Sequence, residues 1–145
     1  HFILRVWLRD LIRFYRQEPG LHTTDLDSTG FEWVDFSDWE NSVISYLRQD
    51  RDKNESFVVA CNFTPIPRYS YRLGVPASGA WDEILNSDAQ EYGGSGMGNY
   101  GGVDSEPVAT HGRNQSICLT LPPLGMVVFK HRPGALDEEA VLEMR

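Results

Sequence analysis

A glycine-rich stretch at residues 92–102 (YGGSGMGNYGG) holds the most suggestive spacing in the chain. Gly96, Gly98 and Gly101 form G-x-G-x-x-G, the pattern with which some nucleotide-binding proteins wrap a pyrophosphate. That chemistry needs a helix after the last glycine, so that backbone N–H groups and the helix dipole face the anion. The following residues, 102–107 (GVDSEP), contain two carboxylates and a proline and show no helical period. We therefore expect no nucleotide site in this stretch.

The glycines themselves have a simpler explanation, because glycine adopts positive φ and allows close approach of the backbone at little steric cost. We predict an irregular connection that is pressed against the rest of the protein. Tyr92 and Tyr100 lie near its two ends, and we expect them to anchor it.

A polar segment offers the residue types of a hydrolytic triad: His22, Asp25, Asp27 and Ser28. Triads are defined by geometry rather than by closeness in the sequence, so this proximity is no evidence for catalysis. The four histidines of the chain are scattered without the spacing of a metal-binding motif. We predict no catalytic residue, no metal ligand and no cofactor.

Aromatic side chains are the third group that could do chemistry. They are Phe31, Trp33, Phe36 and Trp39, followed by Trp81, Tyr92 and Tyr100 around the later loops. Aromatic residues at strand spacing are most often part of a core. The alternative is a sugar-binding surface, because flat rings stack on the C–H faces of pyranoses while carboxylates and amides bind the hydroxyls. The residues alone leave both interpretations open.

Length and composition limit what these residues can belong to. A chain of 145 residues, 41% of them apolar, has room for one domain with an ordinary core. Its net charge of −8 argues against a nucleic-acid partner, since such affinity comes largely from Lys and Arg. The absence of an apolar run of about 18 residues predicts no membrane span. Cys61 and Cys118 are isolated thiols in strand-like runs, which favours buried, reduced cysteines and a cytoplasmic location.

The first segment is predicted to be a helix with an unusually broad apolar face. Its large side chains recur at intervals of three and four residues until Pro19 and Gly20 end the pattern. The stripe consists of Leu4, Trp7, Leu8, Leu11, Ile12 and Tyr15, and Arg5, Arg9, Arg13 and Arg16 form a solvated face. Such a helix normally lies against a large neighbour. In this chain we expect the apolar face of the helix to pair with the same face of a second copy of the chain.

Strand patterns replace the helical period from about residue 31 onward. Runs rich in β-branched and aromatic residues occupy 43–50, 56–64, 69–75, 79–88, 115–121 and 124–130, with turn residues between them. Short strands with turns every 8 to 12 residues are typical of an antiparallel sandwich. The remaining residues, 131–145, are charged and form a polar tail.

The amino-acid sequences of several segments resemble those of a known family. These are GFEWVDFSDWENSVISYLRQD, VVACNFTPIPRYSYRLGVP, GAWDEILNSDA, YGGSGMGNYGG and SICLTLPPLGMVVFK. In this order and spacing they are similar to the C-terminal end of bacterial 1,4-α-glucan (glycogen) branching enzymes of the α-amylase superfamily. The likeness runs from about residue 31 to 130. The preceding segment RDLIRFYRQEPGLH resembles the last helix of that family's catalytic barrel.

The resemblance implies a division into three parts. Residues 1–30 would be the last barrel helix and a connector, 31–130 an antiparallel Greek-key β-sandwich of the α-amylase C-terminal type, and 131–145 the tail. The parent enzyme would cut an α-1,4-glucan and transfer the segment to a 6-hydroxyl by a retaining mechanism. Its catalytic residues belong to a barrel of roughly 250 residues, so none can be assigned here.

The resemblance also implies the partners of the domain, which are an α-glucan and the missing barrel of the same protein. It makes Trp33, in the GFEW run, our first candidate for a glucan contact, followed by Trp81 and Tyr92. The alternatives to a domain of a branching enzyme are an independent carbohydrate-binding sandwich and a purely structural sandwich with no ligand contact. Because the chain begins at HFILRVW rather than at Met, we expect it to be a piece of a longer protein.

Overall fold

The computed structural model describes residues 2–23, 26, 28–50 and 55–132. Its first element is the helix α1 (Phe2–Gln17), which confirms the helical pattern of the sequence. The helix ends just before Pro19, whose ring is incompatible with a helix interior. A single turn of 3-10 helix follows at Pro19–Leu21, and a second one, Ser28–Gly30, leads into the first strand.

Eight strands make up the rest of the described chain. They are β1 (Phe31–Asp38), β2 (Val43–Gln49), β3 (Ser56–Asn62), β4 (Arg68–Val75), β5 (Ala80–Asn86), β6 (Gly102–Asp104), β7 (Gln115–Leu121) and β8 (Met126–Arg132). Six of them coincide with the runs that the sequence indicated. The three-residue strand β6 was not predicted, because a Gly-rich segment that short has no readable alternation.

The strands form two sheets in which every pair is antiparallel. The large sheet has the order β1-β2-β3-β8-β5-β6, and the small sheet pairs β4 with β7. The chain therefore crosses between sheets after β3, β4, β6 and β7, and β8 returns to lie between β3 and β5. The prediction of a mainly β, antiparallel sandwich with crossing connections is confirmed.

The main core lies between the two sheets. The large sheet contributes inward-facing residues such as Leu47, Val58 and Phe129, and the small sheet contributes Leu73 and Ile117. Each of these side chains is at most 1% exposed. In β2 the alternation of buried and half-buried residues shows that one face points into this core. Strand alternation thus places one side of the large sheet in the protein interior.

The outer face of the large sheet is also apolar, and α1 covers part of it. Phe57, Val59, Leu85 and Val128 lie on this face, together with Leu21 from the 3-10 turn. Three helical residues pack against them, namely Trp7, Leu11 and Phe14. Strand β3 is therefore buried on both faces, which explains why its sequence is an almost continuous apolar run rather than an alternating one.

The expected homodimer through α1 is not supported. Trp7 and Leu11, two members of the predicted stripe, pack against the protein's own sheet instead of a second chain. The helix is an amphipathic cover for the sandwich, and none of its residues is fully buried. Large apolar residues on the flank of the helix, next to the face that covers the sheet, remain exposed, namely Leu4, Leu8, Ile12 and Tyr15, as do Phe2 and Ile3 near its N-terminus.

Polar contacts fix the segment between α1 and the sandwich. Lys130 donates to Glu18 at 2.8 Å and lies 3.7 Å from Glu55, and the backbone N–H of Gly20 donates to Glu55 at 3.0 Å. The hydrogen bond to Glu18 is the largest reason why the pKa of Lys130 is raised. Because these partners come from distant parts of the chain, they hold the helix end in one position on the sheet.

The predicted tail lies outside the described residues except for His131 and Arg132, which end β8.

Candidate carbohydrate-binding surface

An aromatic surface, defined as Phe31, Trp33, Phe36 and Tyr46, lies at the β1 edge of the large sheet. Trp33 stands opposite Tyr46 in the register of β1 and β2, and their ring centroids are 6.2 Å apart. Phe31 packs edge-on against Trp33 at 5.1 Å and stacks on Tyr46 at 5.2 Å. Phe36 extends the group at 5.5 Å from Trp33. The four rings form one continuous patch on the same outer face that α1 covers farther along the sheet.

Strand alternation explains how this patch arises. Phe31 and Trp33 are two residues apart and share the outer face, whereas Val34 belongs to the core between the sheets. A register shift between Trp33 and Asp35 follows, and it is a β-bulge or related irregularity. Bulges redirect side chains at sheet edges, which accounts for Phe36 joining the patch.

Polar contacts fasten β1 to the small sheet and its loops. Glu32 accepts a hydrogen bond from Arg113 at 2.6 Å, and Asp35 lies 3.3 Å from the His111 ring. At the strand's end, Asp38 accepts a hydrogen bond from the Tyr71 hydroxyl at 2.6 Å. Burial opposes ionisation of Asp38, but hydrogen bonds from Tyr71 and Asn41 outweigh it and lower the pKa of this carboxyl. An edge strand held in this way is a rigid support for Trp33.

The aromatic surface is exposed enough to contact a ligand. Trp33 is 45% exposed to solvent, and Phe36 is 61% exposed. Rings that are fixed by neighbouring rings and still face water lose little conformational entropy on binding, which suits stacking on a sugar face. Of the predicted glucan contacts, Trp33 is the one whose position fits that role.

Trp81, the second predicted contact, is instead a core residue. Its side chain is 0% exposed and belongs to the cluster between the two sheets. The indole N–H donates to the carbonyl oxygen of Ala77 at 3.2 Å, and the His131 ring lies 5.0 Å away. Because no face of this ring is open to solvent, stacking on a sugar is incompatible with this position.

Tyr92, the third predicted contact, holds α1 against the glycine-rich loop. Its ring packs edge-on against Trp7 at 4.9 Å, and its hydroxyl donates to Asp10 at 2.8 Å. Burial, together with this hydrogen bond to a carboxylate, raises the pKa of Tyr92 to about 12. The role of Tyr92 as an anchor thus agrees with the sequence, although the anchor is on the helix. Tyr100 is fully exposed, so the expectation that it also anchors the loop was wrong.

The glycine-rich loop uses its backbone donors internally. The Asp88 carboxylate accepts hydrogen bonds from the N–H groups of Ser95 and Met97, and the Glu83 carboxylate accepts one from the N–H of Asn99. Groups that would cradle a phosphate in a nucleotide-binding loop are thus paired with the protein's own carboxylates. Positive φ at Gly93, Gly96, Gly101 and Gly102 explains the glycine content.

Some contacts that shape these regions were missed by the sequence reasoning. Tyr46 could have been found, because it alternates with Val43 and Leu47 and must therefore lie on the opposite face from them. Glu83 and Asn99, which hydrogen-bond to each other at 2.7 Å, are 16 residues apart and gave no local signal.

Within the described residues, no group of three His, Cys, Asp or Glu side chains is placed to hold a metal ion. Helix α1 and the other helices described here are too short or too polar to span a membrane.

The architecture is that of an all-β sandwich with one accessory helix. Residues 33–132 match the family model of the alpha amylase, C-terminal all-beta domain. This match covers most of the chain, and the chain belongs to that family.

Curated relatives named 1,4-alpha-glucan branching enzyme GlgB are similar to this chain over most of its length. The relative from Aquifex aeolicus is 56% identical over 124 residues, which are 86% of this chain and 20% of the relative. The relative from Aromatoleum aromaticum is 54% identical over 127 residues, 88% of this chain and 20% of the relative. The relative from Albidiferax ferrireducens is 47% identical over 135 residues, 93% of this chain and 22% of the relative. The chain thus spans about a fifth of the length of these proteins.

Proposed function

We propose that this chain is the non-catalytic C-terminal domain of a 1,4-α-glucan branching enzyme. The observation that carries the proposal is the identity of 47–56% to relatives of that name over 86–93% of the chain. Such an enzyme moves α-1,4-glucan segments to 6-hydroxyls and forms α-1,6 branches. Its chemistry, by a retaining mechanism, would take place in a catalytic barrel outside this chain.

The role of the domain in that enzyme would be to support the barrel. Exposed apolar residues on the flank of α1, next to the face that covers the sheet, favour this role, since a contiguous apolar patch usually marks a contact surface. Leu4, Leu8 and Ile12 lie at helical spacing there and would meet the barrel. The polar contacts of Glu18, Glu55 and Lys130 would then fix the angle between barrel and sandwich.

The second role would be to hold glucan at the aromatic surface. Trp33 would stack on a glucosyl ring, and Phe36 would extend the platform for the next residue of the chain. Tyr92 is the weaker candidate, because its hydroxyl and one ring edge are already bound to α1. Glucan binding is compatible with the net charge of −8, because a glucan is a neutral ligand.

An activity assay tests the first part of the proposal. The full-length protein should change the iodine-stain spectrum of amylose, and the 145-residue chain alone should leave that spectrum unchanged. A spectral shift caused by the isolated chain would refute the assignment of the chemistry to the barrel. Failure of the full-length protein to branch amylose would refute the proposal as a whole.

A binding assay tests the glucan contact. Trp33→Ala in the full-length enzyme should weaken the binding of long glucans by about 1–3 kcal/mol, by analogy with the stacking of bases on aromatic rings. Trp39→Ala is the matched control, because Trp39 is 83% exposed and lies outside the aromatic surface. Equal affinities of the wild type and Trp33→Ala would remove Trp33 from the glucan contact.

An independent carbohydrate-binding module is the second candidate function. It is favoured by the docking of α1 on its own sheet, which gives the helix a partner without any barrel. A module of this kind should bind amylose as tightly when isolated as it does within the full-length protein. A large gain in affinity in the full-length protein would favour the branching-enzyme domain.

A further inference from the structure

A polar cleft lies at the opposite edge of the large sheet from the aromatic surface. We call it the loop cleft; it is bounded by strand β5, the 3-10 turn Gln90–Tyr92 and the glycine-rich loop, and its volume is about 610 Å³. This volume falls within the roughly 300–1,000 Å³ that is usual for small-molecule sites. The residues that matter for its chemistry are Glu83, Ile84, Gln90, Glu91 and Tyr100.

Hydrogen bonds among residues that line the loop cleft fix the shape of its walls. One oxygen of Glu83 accepts hydrogen bonds from both the backbone and the side chain of Asn99, which is buried. Asn99 in turn exchanges hydrogen bonds with the backbone of Thr120 at 2.7 and 2.9 Å. Asn86 donates to the carbonyl oxygen of Met97 at 2.9 Å and braces the other side of the loop. A cleft supported in this way exists before any ligand arrives.

Several polar groups that line the cleft retain hydrogen-bonding capacity. The second oxygen of Glu83 has no hydrogen-bond partner among the described residues, and the same is true of the exposed side chains of Gln90 and Glu91. Carboxylates accept hydrogen bonds from hydroxyl groups, and an amide both donates and accepts. This combination suits a neutral polyhydroxyl ligand. The two carboxylates would repel a phosphate.

Tyr100 supplies an aromatic ring at the rim of the cleft. It is fully exposed, yet its backbone is in the left-handed region at φ +53°, where a bulky residue is uncommon. The adjacent Gly101 has φ +92°, so the chain turns sharply directly after this ring. Strained residues that the surrounding structure maintains occur preferentially at ligand contacts. Here the strain presents a ring to solvent beside groups that can bind hydroxyls.

We propose that the loop cleft binds a glucosyl residue of an α-glucan, with the Tyr100 ring against the sugar and with Glu83, Gln90 and Glu91 on its hydroxyls. The identity of the sugar rests on the proposed function, whereas the cleft and its chemistry do not. Five strand spacings separate β1 from β6 in the sheet order, a distance of roughly 24 Å. The loop cleft is therefore a separate contact from the aromatic surface.

The test is an NMR titration of the 145-residue chain with maltoheptaose. Backbone amides of residues 96–101 should shift and saturate, and Tyr100→Ala should weaken that saturation about tenfold. Tyr100→Phe keeps the ring and should bind like the wild type. Tyr69→Ala is the matched control, because Tyr69 is an exposed tyrosine on the small sheet. Trp33→Ala should leave the saturation at residues 96–101 unchanged.

Each outcome separates this inference from the proposed function. Shifts confined to the aromatic surface would overturn the loop cleft and leave the branching-enzyme proposal standing. Unchanged affinity in Tyr100→Ala, or equal saturation by the β-linked cellohexaose, would also overturn it. Branching activity of the full-length protein is measured separately, so its absence would refute the proposed function whether or not the cleft binds sugar.

Discussion

The two faces of the large sheet differ in how completely they are covered. The inner face meets the small sheet, and its side chains, such as Trp81 and Phe129, are excluded from water. The outer face is covered by α1 over Phe57 and Val128, but it remains open at the aromatic surface. Both faces carry large apolar residues, so composition alone does not distinguish them.

This difference separates Trp81, which is buried in the core, from Trp33, which remains accessible to solvent. A closed face responds to any loss of volume, because its neighbours cannot fill the space. A partly open face tolerates substitution and can receive a partner. We therefore expect substitutions on the inner face to lower stability and substitutions at the aromatic surface to act mainly on binding.

The largest effect should follow Trp81→Ala on the inner face. Removal of a fully buried indole leaves a cavity between the sheets, and such substitutions cost about 3–5 kcal/mol of unfolding free energy. Trp33→Ala, on the outer face, should cost only about 1 kcal/mol, the value of its partial ring contacts. Urea unfolding of the two variants measures both quantities. Equal losses would show that the aromatic surface is as closed as the core.

A smaller effect should follow Phe14→Ala, which acts on the covered part of the outer face. Phe14 packs edge-on against Phe57 at 5.9 Å and is half-buried, so its loss should cost about 1–2 kcal/mol. Leu4→Ala is the control, because Leu4 is 64% exposed on the flank of α1 and should change stability by at most about 0.5 kcal/mol. The same ranking is measured by thermal unfolding. A larger loss for Leu4→Ala would contradict the observed orientation of the helix.

The sequence could predict the elements but not which faces they would cover. Helical and strand periods correctly located α1 and six of the eight strands, because those periods follow from local backbone geometry. The position of Trp81 between two sheets depends on the pairing of β5 with β8, which are separated by about 40 residues. Periodicity gave no information about that pairing. Trp81 was therefore named as a candidate glucan contact although it is buried.

The candidate site shows the same limit. Trp33, which the family resemblance made a candidate glucan contact, lies on an exposed ring surface and stays a prediction. The loop cleft depends on Glu83, Asn99 and Thr120, which lie in three separate segments. Tyr100 and Tyr92 looked equivalent in the sequence. The contact of Tyr92 with Asp10 spans 82 positions, and it makes one of them an anchor while the other remains in solvent. Contacts of that range become visible only once the chain has folded.

The smallest effect should follow Tyr92→Phe, and it should depend on pH. This substitution tests how the middle of α1 is held against the glycine-rich loop. Burial and the Asp10 carboxylate raise the pKa of Tyr92 from 10.0 to about 12, so the folded protein keeps this proton after the unfolded chain has lost it. The hydrogen bond therefore stabilises the wild type fully below pH 10, and this advantage disappears as the pH rises to 12. Melting temperatures of the wild type and Tyr92→Phe should differ at pH 8, by less than for Phe14→Ala, and should converge near pH 12. A difference that persists unchanged to pH 12 would mean that the ring contact with Trp7, rather than the hydroxyl, fastens the helix to the loop.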